Sequence, residues 1–197
     1  MTSVEPTGWL PDYVTITQLL TPVECRALIA QSESRYYSAV RIAEDGTTYV
    51  DTSFRDCETA HFRKGDAPFT LIRDRLSSRL AEINAAYDFE LYTDPDAMVE
   101  VMNVNAYHAN RGHIGWHTDV GGYVKTENCK LSVIIKLNDA FEGGQLRLNT
   151  GYLHEPLNDA AIGDAIVVPT FVLHSVGLVT AGVRHSAIVW LRGPRFR

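Results

Sequence analysis

Val99-Glu-Val-Met-Asn-Val-Asn-Ala-Tyr107 is where the character of this 197-residue chain changes. Before it, apolar residues recur mainly at helical spacing; from Val99 they alternate every second position, the pattern of a half-buried strand. Further strand-like runs cover 131–138, 145–149, 165–168, 172–179 and 185–191. Turn signals separate them at Gly121-Gly122, Gly143-Gly144, Gly151, Asn158-Asp159 and Gly163-Asp164. Many short strands at near-regular spacing predict a sandwich or barrel and argue against a parallel sheet.

On the N-terminal side the signals are helical. Thr21-Pro22-Val23-Glu24 reads as a capping box with proline at the first helical position, opening a helix that runs to about residue 34. Residues 45–66, with Gly46 and Gly65 around Ser53-Phe54-Arg55, read as irregular with room for one strand. A second helix is expected over about 67–87, because Phe69, Ile72, Leu76, Leu80, Ile83 and Tyr87 form one stripe. The expected organisation is one domain over 1–197, mainly β with N-terminal helices. About 1–97 supplies helical support and the first strands, and about 98–192 supplies the β core.

Composition narrows the classes of function. A domain of this length buries roughly 70% of its unfolded surface, so it can hold together without disulfides. With 45% hydrophobic and 21% charged residues it has the balance of a folded globular chain. Eighteen Lys+Arg against 24 Asp+Glu give a net charge of −6, which leaves no global basic field for nucleic acid or an anionic membrane. No apolar run approaches the ~20 residues of a membrane-spanning helix. Met1-Thr-Ser-Val-Glu-Pro-Thr7 lacks the basic and apolar regions of a secretory signal. Cys25, Cys57 and Cys129 are odd in number and scattered, which points to reduced thiols and a cytoplasmic location, and away from a cysteine zinc site. Cys129 beside Lys130 reads as a small buried hydrophobe. Dinucleotide and phosphate-loop glycine signatures are absent, as is a serine nucleophile elbow.

What stands out is His117-Thr118-Asp119. On a strand, residues i and i+2 share a face, so one imidazole and one carboxylate would point to one spot. Alone this is weak, because seven histidines among 24 acidic residues in 197 give an H-x-[DE] about once by chance. A third ligand would give it weight. His61 and His154 lie in polar loop contexts, His108 and His113 flank a glycine-containing turn, and His185 has no fixed face on the last strand. His174 lies in Val168-Pro-Thr-Phe-Val-Leu-His174-Ser-Val, an apolar run where an unpaired imidazole is costly to bury. It reads either as a satisfied core histidine or as that ligand. Two histidines and one carboxylate from separate strands form the facial triad of non-haem Fe(II) oxygenases. Arg184 lies ten positions beyond His174 in an apolar strand, so its guanidinium must meet a carboxylate. That carboxylate is either an internal Asp or Glu, or the distal end of a dicarboxylate ligand, with Ser186 on the same face and Tyr107 on the entering strand able to assist.

Tyr107…Gly112…Trp116-His117-Thr-Asp119, Leu131-Ser-Val-Ile-Ile-Lys-Leu-Asn138 and Phe141-Glu-Gly-Gly-Gln-Leu146 resemble the Fe(II)- and 2-oxoglutarate-dependent dioxygenases of the prolyl 4-hydroxylase-like group. The likeness continues through Gly163-Asp-Ala-Ile-Val-Val-Pro169 and from His174-Ser-Val to Arg184-x-Ser186 and Trp190, and so covers about 99–192. It implies a double-stranded β-helix, a jelly-roll or cupin-like barrel with the iron at its open end. It implies His117, Asp119 and His174 as iron ligands, and Arg184, Tyr107 and Ser186 as the 2-oxoglutarate site. Halogenases of this superfamily carry a small residue in place of the carboxylate, so Asp119 favours hydroxylation. The implied reaction uses O₂ to hydroxylate an unactivated C–H of an amino-acid-like or peptidyl substrate, prolyl included. Decarboxylation of 2-oxoglutarate to succinate and CO₂ accompanies it, with ascorbate as an optional reductant.

Trp116, Asn103 and Tyr123 are candidates to line the substrate pocket, and Gly121-Gly-Tyr-Val-Lys-Thr-Glu-Asn128 is the expected lid, with Tyr123 and Lys125 for contacts. Two other readings stand beside this one. A zinc hydrolase or metal-binding barrel would use the same three ligands but has no need of a buried cation after the last of them. An oxidative demethylase would use the same iron chemistry, although the sequence shows no basic groove or base-stacking cluster for nucleic acid.

Overall fold

In a computed structural model, which describes residues 10–43, 45–120 and 128–196, strand β1 (Val14–Ile16) leads into helix α1 (Pro22–Ser32) and a 3₁₀ turn at Glu33–Arg35. Short strands β2 (Tyr37–Ser38), β3 (Arg41–Ile42), β4 (Thr48–Tyr49), β5 (Arg55–Asp56) and β6 (Glu58–Arg63) follow. Helices α2 (Ala67–Ser78), α3 (Leu80–Tyr87) and α4 (Pro95–Met98) precede β7 (Val101–His108) and β8 (His113–His117). The rest is strand: β9 (Cys129–Lys136), β10 (Phe141–Gly143), β11 (Leu146–Asn149) and β12 (Leu153–His154), then β13 (Ala165–Pro169), β14 (Leu173–Val176) and β15 (Val179–Arg192).

The capping box forms as the sequence predicts. Thr21 Oγ1 accepts from the Glu24 amide, and the Glu24 carboxylate accepts from the Thr21 amide at 2.8 Å. The expected helix over 67–87 is instead two helices that meet at Arg79, which leaves helical geometry at φ −99°, ψ 2°. The Ser77 and Ser78 hydroxyls donate to the Arg73 and Arg75 carbonyls, a local competition with the helix ladder. The apolar stripe nevertheless continues across the break, and Phe69, Ile72, Leu76, Ile83 and Tyr87 are all buried in one cluster. The 45–66 segment holds more strand than expected. Its pieces pair with distant partners, β5 with β8 and β6 with β7, which local pattern does not reveal.

Two antiparallel sheets organise the core. The larger runs β1-β13-β9-β15-β7-β6-β2, with β10 added on β15; the smaller runs β12-β11-β14-β8-β5. The run expected over 172–179 divides at Gly177-Leu178, where the chain leaves the smaller sheet after β14 and enters the larger one as β15.

Alternation along the larger sheet then assigns each residue a side. Met102, Val104, Leu131, Val133, Ile135, Ala165, Val167, Ala187 and Val189 pack beneath the helices. Ile134, Ile166, Val168 and Tyr107 face the other way, into a second cluster with Ile114, Leu146, Leu148 and Val176 of the smaller sheet. Because β9 is buried on both faces, it reads as one apolar run, and a polar residue within it needs a partner. Cys25, Cys57 and Cys129 are free and buried. Among the described residues no helix is long and apolar enough to cross a membrane.

Candidate metal centre

His117, at the end of β8, is the register partner of His174 on β14, and their rings lie 4.2 Å apart between centroids. Each imidazole is turned by its own backbone. His117 Nδ1 lies 2.9 Å from the Gly115 carbonyl and His174 Nδ1 lies 2.9 Å from the Val172 carbonyl. A carbonyl can only accept, so both Nδ1 atoms carry hydrogen and both Nε2 atoms are left as free lone pairs. Burial, and then the neighbouring His174, hold the His117 pKa below the ordinary histidine value, which keeps that lone pair available.

Asp119 completes the group. Its amide donates to the Thr170 carbonyl at 2.8 Å, which ties the chain just beyond β8 to the end of β13. Its Oδ1 lies 3.7 Å from His117 Nε2 and its Oδ2 lies 3.7 Å from His174 Nε2. One donor atom from each of the three residues falls within 4.8 Å of the others, so the group can hold a metal ion. Ser132, the lone hydroxyl facing this way from the apolar β9, donates to Asp119 Oδ2 at 2.6 Å. A donor set of two neutral imidazoles and one carboxylate with one flank open suits a divalent first-row metal.

A cleft opens beside the triad. Arg184 lines it and is only 5% exposed. Among the described residues no carboxylate lies within ion-pair distance of Arg184. Its Nη1 donates to Ser186 Oγ at 3.0 Å, and its guanidinium lies 5.3 Å from the centre of the Tyr107 ring, the side chain of its register partner. Burial pushes the Arg184 pKa down from its ordinary value and that of the Tyr107 hydroxyl well up, so the phenol keeps its proton as a donor. Gly144, at φ +64°, makes room for this arginine, since a Cβ there would lie 3.0 Å from Arg184 Cδ and 2.8 Å from Val179 Cγ2. A buried guanidinium without an internal counter-charge, beside two hydroxyl donors, fits a carboxylate supplied from outside.

Asn103 lines the cleft and is held by His61 Nδ1, so His61 has a partner instead of the solvated loop position expected for it. Trp116, expected as a pocket wall, is 43% exposed and is not among the lining residues, because alternation on β8 turns it away from His117. Tyr123 and Lys125, with most of the expected lid, lie outside the described residues. The structure adds lining residues that the sequence reading passed over: Arg55, Asn105 and Trp190. Asn105 had a signal, since it shares the alternating face of Asn103 and Tyr107. Arg55 had almost none, as it lies in a two-residue strand and reaches the site only through pairing with Ile114.

No family model matches the sequence. The chain is 33% identical over 109 residues to a PKHD-type hydroxylase of Thermosynechococcus vestitus, a stretch covering 53% of this chain and 47% of that protein. It is 29% identical over 122 residues to a PKHD-type hydroxylase of Shewanella oneidensis, covering 62% and 52%. The chain thus spans about half the length of the curated relatives it matches. The fold matches the crystal structure of a Pseudomonas putida prolyl-4-hydroxylase with a TM-score of 0.69 at 18% identity, over 92% of both chains. The two-sheet architecture is therefore a jelly roll. Sequence likeness over about half of the chain is thus to PKHD-type hydroxylases, and fold likeness over most of it is to a prolyl-4-hydroxylase.

Proposed function

We propose that this protein hydroxylates an unactivated C–H bond of an amino-acid-like or peptidyl substrate, using Fe(II), 2-oxoglutarate and O₂. The single observation that carries the proposal is a triad of metal-binding type and a buried arginine without an internal counter-charge, facing one cleft. Substrate C–H, O₂ and 2-oxoglutarate give the alcohol, succinate and CO₂, so one atom of O₂ enters the alcohol and the other enters succinate. Bound at the triad, Fe(II) supplies O₂ activation and couples it to decarboxylation of the cosubstrate.

The protein's part is placement. His117, Asp119 and His174 would hold the metal on one face. Ser132 fixes which carboxylate oxygen of Asp119 is free to turn toward it. Arg184 would fork onto the distal carboxylate of 2-oxoglutarate, with donors from Ser186 and Tyr107 beside it. Ile114, Ile134, Leu146, Val176 and Ile188 supply apolar wall that limits water around the reacting atoms. The PKHD-type name of the curated relatives supports the hydroxylase reading. A hydrolytic zinc barrel leaves Arg184 without a task.

Anaerobic addition of Fe(II) and then 2-oxoglutarate tests the proposal. A visible metal-to-cosubstrate charge-transfer band should appear, and His174→Ala should abolish it. Retention of the band and of full iron affinity in that variant would remove His174 from the site.

A further inference from the structure

We infer that Arg55 anchors a carboxylate of the primary substrate, so that the substrate is a small carboxylic acid of the amino-acid kind and not an internal segment of a polypeptide. The inference rests on the oxygenase reading above and extends it to substrate class.

Arg55 enters the cleft from the sheet opposite Arg184, on β5, and lines the same cavity as the triad. Neighbouring side chains fix its guanidinium. Its Nε donates to Cys57 Sγ at 3.1 Å, and its Nη2 donates at 3.2 Å to both Thr59 Oγ1 and Asn105 Oδ1. Thr59 Oγ1 in turn donates to Asn105 Oδ1 at 2.6 Å, so the acceptors are themselves locked. All three partners are neutral. Nη1 has no acceptor among the described residues, which leaves its two N–H groups for a ligand.

The charges of the cleft lead the same way. Among the described residues, Asp119 is the one acid lining the cleft, and it belongs to the triad. With a divalent metal, a dicarboxylate cosubstrate, Asp119 and Arg184 matched against one another, the positive charge of Arg55 is the one left over. Burial opposes the Arg55 charge while neighbouring groups, Asp119 among them, favour it, so the guanidinium stays cationic beside the cleft and can take an anion.

The test uses the full chain with Fe(II) and 2-oxoglutarate under anaerobic conditions. The twenty free L-amino acids, and Gly-Xaa dipeptides with a free C-terminus, are each compared with their carboxamides. Perturbation of the visible band reads binding without turnover. At least one free acid should perturb the band and stimulate succinate release in air, while its amide is ~30-fold weaker or more. A response to free amino acids alone, or to dipeptide acids as well, tells which source presents the carboxylate. Arg55→Ala should weaken the responding acid by a similar factor, and Arg55→Lys should recover part of it, while 2-oxoglutarate affinity stays within about twofold in both. Melting temperatures of both variants check that the fold is kept; the acid-against-amide comparison on the unaltered chain stands without them. Silence of every acid, equal response to acid and amide, or an unchanged constant for the acid in a folded Arg55→Ala protein overturns the inference. Absence of the band before any acid is added would instead overturn the oxygenase reading, and this inference with it.

Discussion

His117 and His174 are register partners on neighbouring antiparallel strands, and each spends its Nδ1 hydrogen on a carbonyl two residues back along its own chain. Their free Nε2 atoms are therefore aimed by backbone geometry and need no other side chain to orient them. Asp119 is different. Its backbone is tied down by the Thr170 carbonyl, but its carboxylate is oriented by Ser132.

Ser132→Ala tests that division. The hydroxyl lies in a fully buried position, and its loss leaves the carboxylate free to rotate. Iron affinity should fall by roughly 10–100-fold, the usual cost of removing a partner that orients a metal ligand. The expected dissociation constant comes from equilibrium titration with Fe(II) under argon, alongside unchanged far-ultraviolet circular dichroism.

A second expectation concerns His185, which alternates against Arg184 on β15. Burial, and then the nearby His108, push its pKa down to about 4. In the unfolded chain it titrates near 6.5. Between those values the unfolded state binds a proton that the folded state refuses, so this residue costs stability as pH falls from 6.5 toward 4. Denaturant melts of His185→Gln and the parent should show the variant gaining relative stability across that interval and no further below it.

Glu24 gives the opposite sign. The hydrogen bond from Arg75 on α2, followed by that from the Thr21 amide, lowers its pKa from 4.5 to about 2. A lowered carboxylate pKa stabilises the fold above the unfolded value and ceases to do so as pH falls through the folded one. Glu24→Gln should cost roughly 0.5–1 kcal/mol at neutral pH, modest because the pair is partly exposed. The gap between parent and variant should close between pH 4.5 and about 2.

Much of the site was readable because a strand's period is short. His117 and Asp119, and Arg184 and Ser186, are i, i+2 pairs, Asn103 and Tyr107 are an i, i+4 pair, and the expected shared faces are the faces the sheets present. Ser132 had a signal too, as a hydroxyl between the apolar residues Leu131 and Val133 to Ile135. What stayed hidden was non-local. Arg55 is positioned by a partner about sixty residues away, and nothing in Phe54-Arg55-Asp56-Cys57 announces that pairing. The break at Arg79 was masked for a different reason: Leu76 and Leu80 keep helical spacing across it, so the apolar stripe carries no trace of the serine hydroxyls that interrupt the ladder.

Arg184 is buried for a ligand and not for the fold, and the 2-oxoglutarate affinity of Arg184→Met is the measurement that decides this. With no carboxylate near it among the described residues, the guanidinium contributes little to stability that an apolar chain of similar length could not replace. Arg184→Met should show a melting temperature equal to or above that of the parent, unchanged iron affinity, and 2-oxoglutarate binding weakened by ~30-fold or more. A variant that melts lower yet binds 2-oxoglutarate as tightly as the parent would contradict it.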